Sequence, residues 1–247
     1  MSQGEQEGAA MFPLTVVGRD KKIPKATIVL IVMNILVFLW ELSVDAQGEG
    51  FLKAALQNYG LEVCKIGEQS FGTTALDSFR SMFLHASVAH VLGNMWFLFL
   101  FGGLVERYLG SIKFVAAYLT FGVLATIAHV MLGNTICTVA DTGVVIGASG
   151  AIAGVMGGFL YLRPDAKVKT MLGFFRPFVW SVNVPAFLFL GYWFLTDILQ
   201  QVGWIGVETD VAHWAHIGGF IAGFALMFFA GFFKPAPKPD PLEHLAE

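Results

Sequence analysis

Charge is scarce in this chain. Only 13% of its 247 residues are Asp, Glu, Lys or Arg, about half the share usual in soluble domains. That shortage, beside 14% aromatic residues, excludes a largely disordered chain, whose composition is the reverse. Positive charge is sparse as well. The net charge is −3 and no basic patch exists beyond short clusters flanking apolar runs, which argues against nucleic acid as a partner. There is no HExxH motif, and the paired-histidine spacings match no metalloprotease helix. No internal repeat is visible, which disfavours carriers built from inverted halves. The first apolar run lacks a small-residue cleavage pattern and reads as a retained helix rather than a signal peptide.

What the chain has is apolar surface. Hydrophobic residues make up 56%, the 28 glycines bring the apolar-plus-glycine share to about two-thirds, and mean hydropathy is +0.68. A soluble fold has no place to bury that much. Six runs are long enough to cross a bilayer as helices: Ala26–Leu42, Val88–Val105, Ile112–Leu132, Ile146–Leu162, Val184–Leu199 and Val211–Phe233. The expectation is an all-α integral membrane protein, a six-transmembrane-helix bundle. It divides into a cytoplasmic N-terminal tail at 1–24, the membrane domain at 25–233 and a Pro-rich cytoplasmic tail at 234–247 carrying Pro235, Pro237, Pro239 and Pro241. With a cytoplasmic N-terminus, twelve Lys and Arg fall on the inner side, among them Arg19, Lys21, Lys22, Arg107, Arg176 and Lys234. Only Lys53, Lys65 and Arg80 fall outside, which sets the orientation and suggests the cell membrane as the address.

The outer loop from Ser43 to Ser87 is too long for a simple connection, and Phe51–Leu56 within it reads as a short interfacial helix. Cys64 and Cys137 both fall on the outer side. They can bridge in an oxidising compartment, but the sequence does not say whether they lie close enough.

Polar groups inside apolar runs are costly and each calls for a role. The set is His90 and Asn94, His129, Ser149, Asp197 and His216. The second, fourth and sixth runs enter from the outer side, so His90, Asn94, Ser149 and His216 lie within about two turns of one membrane face. Ser149 is a weak nucleophile that needs a base. An apolar setting keeps His216 neutral and able to serve. Asn94, His90 and the Ser149 amide are donors for an oxyanion, and His90 and Asn94 share a helix face at i, i+4. Gly147 and Gly150 flank Ser149, and Gly219 and Gly223 follow His216, a spacing that lets membrane helices approach backbone to backbone.

Gly147-Ala148-Ser149-Gly150, Ala215-His216-Ile217-Gly218-Gly219 and the stretch His85 to Asn94, with Glu106-Arg107-Tyr108-Leu109-Gly110 behind it, together resemble the rhomboid family of intramembrane serine proteases. The resemblance runs from about Ala26 to Phe233. It implies a Ser149–His216 dyad and an oxyanion site from His90, Asn94 and the Ser149 amide, with His85 structural or water-organising. Membrane-spanning proteins would be the substrates, the lipid bilayer the surroundings, and neither cofactor nor metal is implied. Two departures stand out. The Trp-Arg pair that many members carry ahead of the second span is absent from Thr74–Arg80, and a Tyr that some members place against the catalytic histidine is replaced by Ala153, which leaves the support of His216 unassigned.

Other readings accompany these residues. The glycines by themselves describe a tightly packed helix. His129 reads as a hydrogen-bonded core group and His213 as interfacial, with Asp197 able to pair with either. Phe187, Phe189, Trp193 and Phe194 read as lipid-facing or packing residues, beside the family's lateral substrate entry. The competing functions are an inactive rhomboid-like protein that binds membrane clients, and a channel or carrier with a polar path.

Overall fold

The 21 residues Lys25–Asp45 form helix α1, and its burial reverses that of a soluble helix. The buried stripe is Ala26, Thr27, Leu30, Asn34, Phe38 and Glu41, recurring every three to four residues. The remaining faces expose Val29, Val32, Met33, Leu36 and Leu39. Polar groups inside and apolar groups outside suit a hydrocarbon surround. The structure, a computed structural model, describes residues 10–18, 23–133, 137, 143–175, 178–205 and 211–231. The Pro-rich segment from 234 and the basic residues Arg19, Lys21, Lys22, Arg176, Lys234 and Lys238 lie outside these.

After α1 come α2 (Phe51–Tyr59), which makes the Phe51–Leu56 stretch helical, and α3 (Phe71–Ser81), capped by the Ser70 hydroxyl accepting from the Thr73 amide. Thr74–Arg80, where the Trp-Arg pair is missing, lies in α3. There follow α4 (Val88–Leu109), α5 (Ser111–Leu132), α6 (Ser149–Leu162), α7 (Ala186–Gln201) and α8 (His213–Gly231). Among the described residues, α1, α4, α5 and α8 are long and apolar enough to cross a membrane. The protein is a helical membrane protein.

The fourth and fifth apolar runs begin later than the sequence suggests. Val144–Val145 is strand β3, antiparallel to β2 (Leu61–Glu62), and Gly147, with φ of +118°, separates it from α6. At 14 residues α6 rises roughly 21 Å, less than the ~30 Å hydrocarbon core, and 11 of those residues are buried. A helix enclosed by others need not meet lipid along its length. Before α7 the chain is likewise extended through Pro185.

That extended chain belongs to a three-stranded antiparallel sheet the sequence reading did not anticipate. Its order is β1 (Ala10–Val16), β4 (Lys167–Phe175), β5 (Phe178–Pro185), with register from Ala10↔Gly173 to Val16↔Val168 and Lys167↔Pro185. Part of the segment read as an N-terminal tail is therefore a strand. The Trp96 indole N–H donates to Pro13 O at 2.7 Å and ties that strand to α4.

Two devices hold the helices. Gly219 and Gly223 of α8 lie so close to α6 that a Cβ on either would collide with the carbonyl oxygen of Gly150 or Gly154, as the small-residue spacing anticipates. At the opposite end Glu106, late in α4, accepts from the Ala26 amide (2.9 Å), the Thr27 amide (2.9 Å), the Thr27 hydroxyl (2.8 Å) and the Ser111 hydroxyl (2.6 Å). Pro24, at the N-cap of α1, supplies no side-chain bond. A carboxylate from another helix therefore caps α1, satisfying first-turn amides that a helix cannot bond itself.

Candidate active site

Ser149 is the first residue of α6, and the backbone leading to it is tied down on both sides. The Gly147 amide donates to Ser81 O at 2.8 Å. The β2–β3 ladder joins the preceding strand to the α1–α4 connection, and one turn beyond β2 Cys64 is disulfide-bonded to Cys137. The pairing left open by the sequence is thus made. A Cβ on Gly147 would lie 2.9 Å from His90 Nε2 and 3.7 Å from Ser149 Oγ. The two polar atoms flank one point, and only a residue without a side chain fits there at positive φ.

His90 lies in the first turn of α4, where the Ser87 hydroxyl caps the helix by accepting from the His90 amide at 3.2 Å. Asn94, one turn on, is 8% exposed, and its Nδ2 is buried with no hydrogen-bond partner among the described residues. An idle buried donor is uncommon and asks for a reason. Behind His90 stands His85, fully buried, its ring edge-on to the His90 ring at 5.0 Å between centroids. Its Nδ1 lies 3.3 Å from Phe83 O, and its amide donates to Glu41 Oε1 at 2.9 Å. Burial first, and the neighbouring His90 second, hold the His85 imidazole down at about 4, so it stands as a neutral ring supporting His90.

His216 lies in the first turn of α8. Its Nδ1 is 3.1 Å from Oδ2 and 3.3 Å from Oδ1 of Asp197, late in α7. Asp197 Oδ1 also lies 2.7 Å from His213 Nδ1. Asp197 and His213 are 6% and 8% exposed, so His213 is a buried partner of a carboxylate. Such a carboxylate at the end of an apolar helix needs donors, and two imidazoles provide them. The same three residues offer ligand atoms within 4.8 Å of one another, a set able to hold a metal ion. The hydrogen bonds alone account for the arrangement.

Ser149, His216, His90 and Asn94 line one cavity of about 1330 Å³, with Leu52 and Lys53 of α2 on its wall. Gly150, beside Ser149, lies against Ala215, beside His216: a Cβ there would be 3.6 Å from Ala215 O. His129 lines the cavity too, and its Nδ1 is buried with no hydrogen-bond partner among the described residues. It is a cavity group and not the satisfied core histidine expected, because the last turns of α5 reach the mouth of the α6–α8 contact. The aromatics of α7 divide: Phe187 is exposed, Phe189 is buried, Phe194 stacks on Phe220 at 4.6 Å, and Trp193 lines the cavity with its ring 5.7 Å from His216. Asp197 is the residue whose placement the sequence reading left unassigned. Its signal was an acid inside an apolar run, but its partners lie on the next helix.

The model of the rhomboid domain matches residues 73–232. The chain belongs to the rhomboid family. It is 26% identical over 159 residues to RHOMBOID-like protein 1 of Arabidopsis thaliana, covering 61% of this chain and 33% of that one. Against Rhomboid protease GluP of Bacillus subtilis (strain 168) it is 31% identical over 141 residues, 57% of this chain and 23% of that one. Against the Presenilin-associated rhomboid-like protein, mitochondrial, of Bos taurus it is 28% identical over 151 residues, 58% and 35%. The chain spans about a quarter to a third of the length of these curated rhomboid relatives. Several carry a mitochondrial designation in their names, so the comparisons support a membrane protein and not the cell-membrane address expected from the sequence.

Proposed function

We propose that this chain is an intramembrane serine endopeptidase that cleaves membrane-spanning proteins in or beside their transmembrane segment. One observation carries the reading: a serine, a histidine, a second histidine and an asparagine with an idle buried donor line the same cavity at one end of the helices. Ser149 Oγ attacks the scissile carbonyl carbon as His216 takes the hydroxyl proton. The negative oxygen of the tetrahedral intermediate receives hydrogen bonds from the Ser149 amide, His90 Nε2 and Asn94 Nδ2, each such donor typically contributing ~10²–10³ in rate. His216 then gives its proton to the leaving amine, and water, deprotonated by the same ring, releases the acyl group from Ser149. No metal or cofactor enters these steps.

The six apolar helices α1, α4, α5, α6, α7 and α8 would form the membrane domain, with α6 enclosed and the cavity opening toward the face opposite the basic inner side. Polar and non-helical backbone at depth is tolerated where it lines such a cavity. The test is fluorophosphonate labelling and cleavage of a model single-span substrate in liposomes, wild type against Ser149→Ala. Labelling and cleavage lost together in the variant are expected. Robust cleavage by Ser149→Ala removes Ser149 from the mechanism. A wild type that binds the substrate but neither labels nor cleaves it supports the client-binding alternative.

A further inference from the structure

A neutral imidazole carries one N–H, and it is a base only at the other nitrogen. Which nitrogen of His216 carries the proton therefore decides whether it can serve Ser149. Asp197 faces Nδ1 with both oxygens, at 3.1 and 3.3 Å, and in an ionised carboxylate neither oxygen can donate. The proton consequently belongs on Nδ1 and the lone pair on Nε2. Asp197 in turn is held by His213 Nδ1 at 2.7 Å, so the carboxylate is anchored from a second ring while it faces His216.

We infer that Asp197 is a positioning residue for His216, forming with Ser149 a Ser–His–Asp arrangement whose carboxylate is fixed in place by His213. The inference rests on the Ser149–His216 reading and deepens it. When Ser149 gives up its proton, Nε2 receives it and His216 becomes an imidazolium. Its ionisable surroundings are two further histidines, His90 from α4 and His129 from α5, both lining the same cavity, and His213 one turn away on α8. Asp45 and Lys53 also line the cavity. Among the described residues, Asp197 alone places a carboxylate in hydrogen-bond contact with the ring. The proton stays on the imidazole, and Asp197 acts by orientation and by its charge. This supplies the support that Ala153 cannot give.

The experiment uses the full chain in liposomes, with Asp197→Asn, Asp197→Glu and His213→Gln, read by kcat, KM and thermal unfolding. In parallel, ¹⁵N-histidine NMR of the detergent-solubilised wild type and Asp197→Asn reads the His216 tautomer, assigned by difference from His216→Gln. Asp197→Asn is expected to lower kcat by ~10²–10⁴-fold, as loss of the carboxylate does where it sets a catalytic tautomer, with KM changed less than about threefold. Asp197→Glu should recover at least about tenfold of that loss, and His213→Gln should lower kcat less than Asp197→Asn does. Wild-type His216 should carry its proton on Nδ1 and lose that preference in Asp197→Asn. A wild-type proton on Nε2 overturns the inference whether or not any variant folds, as does Asp197→Asn with kcat within about threefold of wild type. Activity lost on chelation and restored by Zn²⁺ overturns it in favour of Asp197, His213 and His216 as a metal site. If the wild type neither cleaves nor labels, the Ser149 reading fails, while the tautomer measurement still decides the Asp197–His216 pairing.

Discussion

Glu106 and Asp197 are both buried carboxylates at helix ends, and what bonds to them differs. Glu106 accepts from two backbone amides and two hydroxyls drawn from α1 and the start of α5. None of those donors changes its charge near neutral pH, so the cluster is a fixed joint. Asp197 accepts from two imidazoles, rings whose second nitrogen is able to take up a proton in general acid–base chemistry. The same chemical group therefore holds helices together at one end and, at the other, stands where the proposed mechanism needs a partner for the His216 ring.

The sharpest test of that contrast exchanges activity for stability. Ser149→Ala, in the cavity served by Asp197, is expected to abolish measurable cleavage, a loss of ~10³-fold or more, while leaving the thermal transition within a few degrees. Glu106→Ala should do the opposite. It leaves the first-turn amides of α1 without an acceptor, at a cost of ~3–5 kcal/mol, read as a lowered unfolding midpoint. The surviving folded fraction should cleave at close to the wild-type rate. If Glu106→Ala instead silenced folded enzyme without destabilising it, the division between the two ends would not hold.

The next largest effect concerns the backbone that carries Ser149. The Cys64–Cys137 bond closes 73 residues of chain, a loop for which loss of the crosslink costs ~2–4 kcal/mol. Cys64→Ser and Cys137→Ser should each lower the unfolding free energy by that amount, and the pair together no further. Intact-mass measurement should find no free thiol to alkylate until reductant is added. Additive losses would show the two positions acting independently.

How far the sequence foretold this depends on where a residue's partners lie. The apolar runs that became α1, α4, α5 and α8 were legible because hydrocarbon selects length and hydropathy within a single segment. His90, Asn94, Ser149 and His216, which line one cavity, were legible as a set because each is a polar residue early in an apolar run, at the depth expected from the order of the runs. The close α6–α8 contact was legible in Gly219 and Gly223, since small residues at that spacing announce a backbone approach. The β1–β4–β5 sheet was not. Residues 10–16 and 167–185 pair across the length of the chain, and nothing local distinguishes Val184-Pro185 as the end of a strand from the start of a span. Asp197 was visible as a misplaced acid, but its choice of His213 and His216 is made by how the end of α7 meets the start of α8. His129 was misjudged for the same reason: whether a ring faces a neighbour or a cavity is decided by packing.

The smallest expected effect belongs to His85, which separates the cavity end from the Glu106 end by pH. Its ring is fully buried, next to His90 and with its amide on Glu41, and is held at about 4 against 6.5 for an exposed imidazole. As pH falls, the unfolded chain takes up this proton first, so stability is full above about 6.5, declines through the window from 6.5 to 4, and levels off below it. By pH 5 the loss from this one group amounts to about 2 kcal/mol. His85→Gln removes the titrating ring and should flatten that part of the stability–pH curve, whatever it does to the absolute midpoint. The readout is thermal unfolding of wild type and variant between pH 7 and pH 4.5, compared as slopes. Parallel slopes would mean that His85 takes up its proton as readily in the folded protein as in the unfolded chain, and the ring packed edge-on against His90 would then have to carry a charge in the interior, where, among the described residues, only the Phe83 carbonyl stands within hydrogen-bond reach of its nitrogens.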